Sequence, residues 1–181
     1  MDDALILEKF ADSRTRDEAF EILLTKYQQK VYWHVRRFVL DHEDANDLVQ
    51  DIFIKVWKNL DTFRADAQLY TWIYRIATNE SITFLNRRKQ KLNISLDDEN
   101  SSYLAESLAD TPYFNGNQAQ LKLQKALLTL PDKQRLVFNM KYFDDLKYDE
   151  MSDILGTSVG ALKASYHIAV KKIERFLLEA D

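Results

Sequence analysis

Three glycines and two prolines are all the helix breakers in this 181-residue chain. With abundant Leu, Lys, Glu and Ala, that scarcity predicts an all-α protein. Hydrophobic residues at 46% and charged residues at 30% are enough for a core and exclude wholesale disorder. The length suits one ordinary domain or two small ones. Cysteine is absent, which excludes disulfides and thiolate metal sites and agrees with a reducing cytoplasm. The acidic start, Met1 to Phe20, breaks its apolar run early and does not read as a signal peptide. No apolar stretch reaches membrane-spanning length, so a soluble, cytoplasmic protein is expected.

The stretch Asp61 to Lys89 organises the rest. A polar turn, Asp61 to Gln68, opens into a helix with two faces. Leu69, Trp72, Ile73, Ile76, Ala77, Phe84 and Leu85 form an apolar stripe at helical spacing. Thr71, Arg75, Thr78, Ile82 and Asn86, with Asn79 beside them, form a largely polar face that ends in Arg87-Arg88-Lys89. Aromatics can stack on bases, Asn can read base edges, and Arg and Lys can hold phosphates, so single-stranded nucleic acid fits. The same residues also describe a core helix whose cationic end complements its dipole. Composition does not separate the two readings.

Before this stretch, Leu5–Phe10, Glu18–Tyr27 and Val31–Val39 read as helical, the last continuing or restarting the one before it. Asp41 or Glu43-Asp44 supplies an acidic cap to the helix Ala45–Leu60. That helix is strongly amphipathic: Leu48, Val49, Ile52, Phe53, Val56, Trp57 and Leu60 oppose Asp47, Gln50, Asp51, Ile54 and Lys58. Residues 1–92 are therefore expected to form a compact bundle of three or four helices.

Periodicity then collapses over 93–118, where Ser, Asn and Asp dominate and Pro112 and Gly116 fall near the end. This segment carries Asp97, Asp98, Glu99, Glu106 and Asp110 without a Lys or Arg, so it holds the acid behind the net charge of −4. The flanking pieces remain free to present basic patches. The segment reads as an acidic, flexible linker. At about 3.3 Å per residue it could span up to about 80 Å, letting two domains sit apart on one large partner.

Residues 119–181 restart with a Leu-rich helix, a second helix opened by Pro131-Asp132, and then Tyr148–Leu155, Gly156-Thr157-Ser158 and Val159–Leu178. A short helix, a Gly turn and a Ser-capped longer helix is the helix-turn-helix plan, in which the second helix enters the major groove by its N-terminal half. That half offers Ser158, Gly160, Lys163, Ser165, Tyr166 and His167, followed by Lys171 and Lys172.

Other chemistry finds little purchase. His34, His42 and His167 are isolated, and no Glu-x-x-His pair or His-Glu-x-x-His motif occurs. Asp47 and Asp51 lie one turn apart, which suits a solvated or partner-facing patch better than a metal. No Gly-rich phosphate loop and no Gly-x-Ser-x-Gly is present. No catalysis, metal or cofactor is expected.

Read end to end, the chain resembles the bacterial RNA polymerase sigma factors of the extracytoplasmic-function (ECF) type. The residues that carry the resemblance are Asp44 to Trp57, Phe63-Arg64, Tyr70 to Asn79, Leu130-Pro131, Val137-Phe138, Tyr148 to Met151 and Ser158 to Lys163. The resemblance implies two helical domains: a sigma helical bundle over 1–92 and a helix-turn-helix over 119–181. It implies a protein that joins core RNA polymerase and directs initiation at chosen promoters.

Residue by residue, Asp47, Gln50, Asp51, Ile54 and Lys58 would dock on the clamp helices of the polymerase's largest subunit. The loop with Phe63, Arg64, Ala65 and Asp66 would hold a flipped-out base of the −10 element. Thr71, Arg75, Asn79, Arg87 and Arg88 would engage the unwound non-template strand. Ser158, Gly160, Lys163, Ser165, Tyr166, His167 and Lys171 would read the −35 element as duplex. The linker would thread near the polymerase's RNA path, and an anti-sigma factor is the expected regulator.

Two departures stand out. Lys147 replaces the Ser that often caps the first helix of the helix-turn-helix, predicting a weaker cap. Lys163-Ala164-Ser165 replaces the frequent Lys-Ser-Arg; a lost Arg contact to a base is worth about 1–3 kcal/mol. The promoter sequence preferred, the regulon and the inducing signal are not written in the chain. Two alternatives are a helix-turn-helix regulator that acts as a dimer without joining polymerase, and a sigma mimic that binds only a regulator. The first leaves residues 1–92 without a role; Arg75, Arg87, Arg88 and Lys163 count against the second.

Overall fold

The computed structural model describes residues 1–111 and 117–180. Pro112 and Gly116, expected near the linker's end, lie outside the described residues. Among the described residues all regular structure is helical: α1 (Asp3–Ala11), α2 (Arg16–Val39), α3 (His42–Asn59), α4 (Leu69–Lys91), α5 (Ala105–Ala109), α6 (Gln118–Leu127), α7 (Asp132–Tyr142), α8 (Tyr148–Leu155) and α9 (Val159–Glu179). Single 3₁₀ turns span Leu60–Thr62 and Ser102–Leu104.

α2 runs without interruption because its buried residues keep one stripe: Ala19, Leu23, Tyr27, Val31, Val35 and Phe38. It ends at Leu40, whose φ of 69° is left-handed and whose N–H bonds to the Arg36 carbonyl at 2.9 Å. A left-handed non-glycine residue costs about 1–2 kcal/mol; burial of the Leu40 side chain offsets that cost. Asp41 then caps α3, its carboxylate accepting the Asp44 N–H at 2.9 Å, with Glu43 and Asp44 in the first turn. α1, α2 and α3 meet over an aromatic cluster in which Trp57 lies edge-on to Phe10 and Phe20, at 5.3 and 5.0 Å between ring centroids.

α4 packs against α2 and α3 on one side and α8 on another. The stripe Leu69, Ile73, Ala77, Leu85 is fully buried, whereas Trp72, Ile76 and Phe84 are half-buried. Helix α9 packs on α6, α7 and α8. Gly156 closes α8 at φ 64°, its N–H bonding to the Ser152 carbonyl, and Ser158 caps α9 by accepting the Ala161 N–H at 3.2 Å. The weaker cap expected at Lys147 is compensated: Glu150 reaches back and accepts the Lys147 N–H at 2.9 Å.

Two features depart from the picture of separated domains. One hydrophobic core runs from Ile6 through Ile73 to Leu136, Met140, Met151 and Ile154, so the two halves share it. The segment 93–118 holds the Ser102–Leu104 turn and α5, burying Leu104 and Leu108. Ser101 is itself buried, its N–H bonded to the Leu128 carbonyl at 2.9 Å. An element of five residues is too short to show helical periodicity in sequence.

Candidate protein and nucleic-acid interfaces

The expected protein-docking residues share one open face. Asp47, Gln50, Asp51, Ile54 and Lys58 recur at three- and four-residue intervals on α3, and all five are exposed. Ile54 is 50% exposed, an apolar side chain amid polar neighbours. Beside it a shallow groove of about 470 Å³ is lined by Phe20, Leu24, Gln28, Val49, Phe53 and Trp57. The opposite face of α3 supplies Leu48, Val49, Ile52, Phe53 and Val56 to the core, so the helix is divided cleanly.

The loop before α4 is held by its aromatics. Phe63 packs against Trp72 at 5.5 Å between centroids, and Ala65 takes a left-handed φ of 58°. Arg64, Ala65 and Asp66 project into solvent. On α4 the expected nucleic-acid residues divide. Asn79 and Arg87 are exposed. Arg75 is half-buried, its Nε donating to the Asp153 carbonyl of α8 at 3.0 Å. Arg88 lies 3.4 Å from Asp44 and donates to the Ser107 hydroxyl at 3.2 Å.

Thr71 is a correction: expected on the polar face, it is 2% exposed and in this conformation unavailable to any ligand. Thr78 is also buried, its hydroxyl 2.9 Å from His34 Nε2. A helix wrapped by α2, α3 and α8 buries more than one stripe, and periodicity alone does not report the third neighbour.

On α9, Ser158, Gly160, Lys163, His167 and Lys171 are exposed, and Ser165 is half-buried. A Cβ at Gly160 would meet nothing within 4 Å, so close packing inside the chain does not require glycine there. Tyr166, like Ser165, is half-buried: its ring stacks on Phe138 at 5.8 Å, and burial, with Tyr148 and Tyr142 near, raises its hydroxyl above the ordinary value.

Sequence reasoning passed over a set of buried charges where the two halves meet. Asp144, just after α7, lies 2.8 Å from His34 Nδ1 and accepts from Arg37 at 3.2 Å. Arg135 of α7, 1% exposed, donates to the Phe38 carbonyl at 2.7 Å and the Arg37 carbonyl at 3.3 Å, at the end of α2. Its guanidinium also lies over the Phe38 ring at 4.7 Å. Lys89, the last buried residue of α4, sits 3.0 Å from Asp132 at the start of α7. Tyr103 donates to the same Asp132 at 2.7 Å, and Ser101 Oγ lies 2.7 Å from it.

Burial by itself would raise the Asp132 carboxyl. Arg135 and the hydrogen bonds from Tyr103, Ser101 and Lys89 outweigh it and hold the group below its ordinary value. Burial likewise pushes the Arg135 guanidinium down, against the pull of Asp132. In sequence each of these residues looks like an ordinary surface charge. The one local signal was Pro131-Asp132 at a helix start.

Among the described residues no cluster of three or more His, Asp or Glu could hold a metal ion. No helix among them is long and apolar enough to cross a membrane.

Comparison with known proteins agrees with this layout. Residues 23–91 match the Sigma-70 region 2 model and residues 120–173 match the Sigma-70 region 4 model. The ECF RNA polymerase sigma factor SigW of Bacillus subtilis is 31% identical over 157 residues, 83% of this chain and 84% of that protein. The chain belongs to the ECF sigma factors. The sigma-E factor of Escherichia coli K12 is 29% identical over 87% of this chain and 85% of its own length. The sigma-H factor of Pseudomonas aeruginosa is 28% identical over 88% and 86%. Among solved structures, Bartonella quintana RpoE, crystallised with the anti-sigma factor NepR, superposes with a TM-score of 0.68 at 21% identity, covering 87% of this chain and 96% of its own. CnrH, in complex with the cytosolic domain of CnrY, superposes at 0.69 and 23%, covering 98% and 97%. These two share the fold. As an ECF sigma factor the protein binds core RNA polymerase and directs promoter-specific initiation. Sigma factors are DNA-binding regulators.

Proposed function

We propose that this sigma factor docks on the clamp helices of the polymerase's largest subunit through Asp47, Gln50, Asp51, Ile54 and Lys58. The observation that carries the assignment is their placement: five exposed residues in one stripe on a helix whose other side is wholly core. A partly apolar, partly acidic stripe beside a groove with Phe20, Phe53 and Trp57 suits a basic, amphipathic helical partner.

The −10 element is engaged as single strand by Phe63, Arg64, Ala65 and Asp66 around a flipped base, and by Arg75, Asn79, Arg87 and Arg88 along the strand. Extruding a base costs a few kcal/mol, offset by stacking and pocket contacts. The −35 element is read as duplex by α9 through Ser158, Gly160, Lys163, Ser165, His167 and Lys171. The acts are binding and melting, with no catalysis of the protein's own, and they take place in the cytoplasm. An anti-sigma factor is the regulator this reading expects, as the two structural relatives each have a protein partner.

The test is co-elution of the purified protein with core RNA polymerase, with Asp51→Arg alongside. Wild-type co-elution and its loss in the variant, at unchanged helical content, support the docking face. Undiminished co-elution of Asp51→Arg would overturn it. Open-complex formation by Arg75→Ala/Asn79→Ala should be lost while polymerase binding is retained.

A further inference from the structure

Helix α9 lies within the residues matched to Sigma-70 region 4, and its sides differ sharply in chemistry. Leu162, Ala169 and Ile173 are buried against the rest of the chain. At about 100° per residue, the line opposite them runs through Gly160, Ala164, the pair His167 and Ile168, and Lys171. All five are exposed. Ala161, also exposed, lies two turns before Ile168 on the same edge of that line.

The cations sit around this line. Lys163 lies to one side, its ammonium 5.7 Å from the Tyr148 ring of α8. Lys172 donates to Gln134 of α7 at 3.2 Å, and Lys171 and Arg175 are exposed farther along the helix. Between Ser165 on one side and His167 on the other, Ala161, Ala164 and Ile168 present a strip of hydrocarbon.

An exposed isoleucine is ordinary on most surfaces. Ile168, 45% exposed, stands on the face of the helix-turn-helix that enters the major groove. There an apolar side chain meets one feature that one base alone offers, the C5 methyl of thymine. Cytosine in the same place would leave its amino group against hydrocarbon, unpaired. Small side chains at Gly160, Ala161 and Ala164 let the backbone come close to the base edges. Packing within the chain does not ask for that glycine, since a Cβ there meets nothing within 4 Å.

We propose that the −35 element is read at its centre by apolar contact: Ile168 and Ala164 pack on the C5 methyls of neighbouring thymines. Lys171 and Arg175 hold the phosphates beside them. The inference rests on the assignment of α9 to the −35 duplex given above. It names what takes the place of the Arg missing from Lys163-Ala164-Ser165: burial of methyl groups instead of a bidentate pair to guanine.

The test uses the full chain bound to core polymerase. The complex selects from duplexes with a randomised −35 stretch, and each thymine of the selected sequence is replaced singly by deoxyuridine. That change removes one methyl and keeps every hydrogen-bonding group. Wild type should lose about fourfold in affinity at one or two adjacent thymines, the worth of one buried methyl. Ile168→Ala should bind thymine and deoxyuridine alike at one of them. Its thermal midpoint and salt slope should match wild type, because the change is on the surface and removes no phosphate contact. Ile168→Gln should shift the selected base at that position towards adenine. Lys171→Ala tests the underlying assignment and should weaken binding to all duplexes, lowering the salt slope by about 1.

A selected element without a preferred thymine, or thymines that all tolerate deoxyuridine, would overturn the methyl reading. If Lys171→Ala still weakens duplex binding in that case, the −35 surface stands. Loss of polymerase co-elution by Ile168→Ala would make the strip a protein contact and overturn the proposal too. If Lys171→Ala and both Ile168 variants leave duplex binding unchanged, the assignment of α9 itself falls.

Discussion

Asp144 and His34 are 110 positions apart, yet the Asp144 carboxylate lies 2.8 Å from His34 Nδ1, with both side chains at least 95% buried. The other ring nitrogen meets the Thr78 hydroxyl at 2.9 Å. One imidazole thus joins α2 to α4 and to the loop after α7, with Arg37 as the second partner of the carboxylate.

Truncating one member of such a buried group leaves the rest unpartnered. Asp144→Ala should lower unfolding free energy by about 3–5 kcal/mol, read as a fall in the urea midpoint. Combining it with His34→Ala should cost less than the sum of the two single changes, because the second removes a group the first had already orphaned. Strict additivity in that cycle would mean the contact carries no coupling.

Arg135 cannot be replaced by another cation. Its Nη1 donates to the carbonyls of both Arg37 and Phe38 while Nε, in the same rigid plane, donates to the Ser101 hydroxyl. An ammonium is a single point charge and spans no such set. Arg135→Ala should cost about 3–5 kcal/mol, and Arg135→Lys should recover little of it in a thermal melt. Near-wild-type stability of the Lys variant would show that charge alone suffices.

The acid response follows from Asp132. Its carboxyl is held below the ordinary value in the folded protein, so folding favours the ionised form. That contribution is complete above the unfolded-state pKa of about 3.9 and is lost as pH falls from there through the lower folded value. Wild type should therefore destabilise steeply below about pH 4. Asp132→Asn should be weaker at neutral pH and show a shallower acid slope. Parallel pH profiles for the two proteins would remove Asp132 from the explanation.

Much of the fold is legible in the sequence because its determinants are local. Asp41 and Ser158 are side-chain caps, Gly156 is a left-handed helix stop, and the 19-23-27-31-35 stripe of α2 is plain periodicity. The exposed stripe of α3 is legible for the same reason: one helix, two faces. What stays hidden is set by neighbours distant in sequence. Thr71 occupies a position that a single-helix pattern turns outward, and packing against further helices buries it, while Tyr166 is partly covered by its stack on Phe138. Asp144, Arg135 and Lys89 read as solvated charges until the other half is brought against them. The structure of residues 101–109 depends on contacts of Ser101 with Leu128, Leu130 and Asp132, which no local pattern encodes.

Lys163 and Tyr166, three residues apart on α9, should separate recognition from support. Lys163 is exposed, its ammonium 5.7 Å from the Tyr148 ring, whereas Tyr166 stacks on Phe138. Lys163→Ala should leave the thermal midpoint within the small range usual for surface changes. Its polymerase complex should bind promoter duplex more weakly, with the slope of log affinity against log salt reduced by about 1 if the contact is to a phosphate. If the contact is to a base edge, sequences selected from a randomised duplex pool should relax at one position. Tyr166→Ala should instead lose about 1–3 kcal/mol of stability while the selected sequence stays unchanged in the protein that remains folded. A change of selected sequence with Tyr166→Ala at full stability would return that residue to the reading surface.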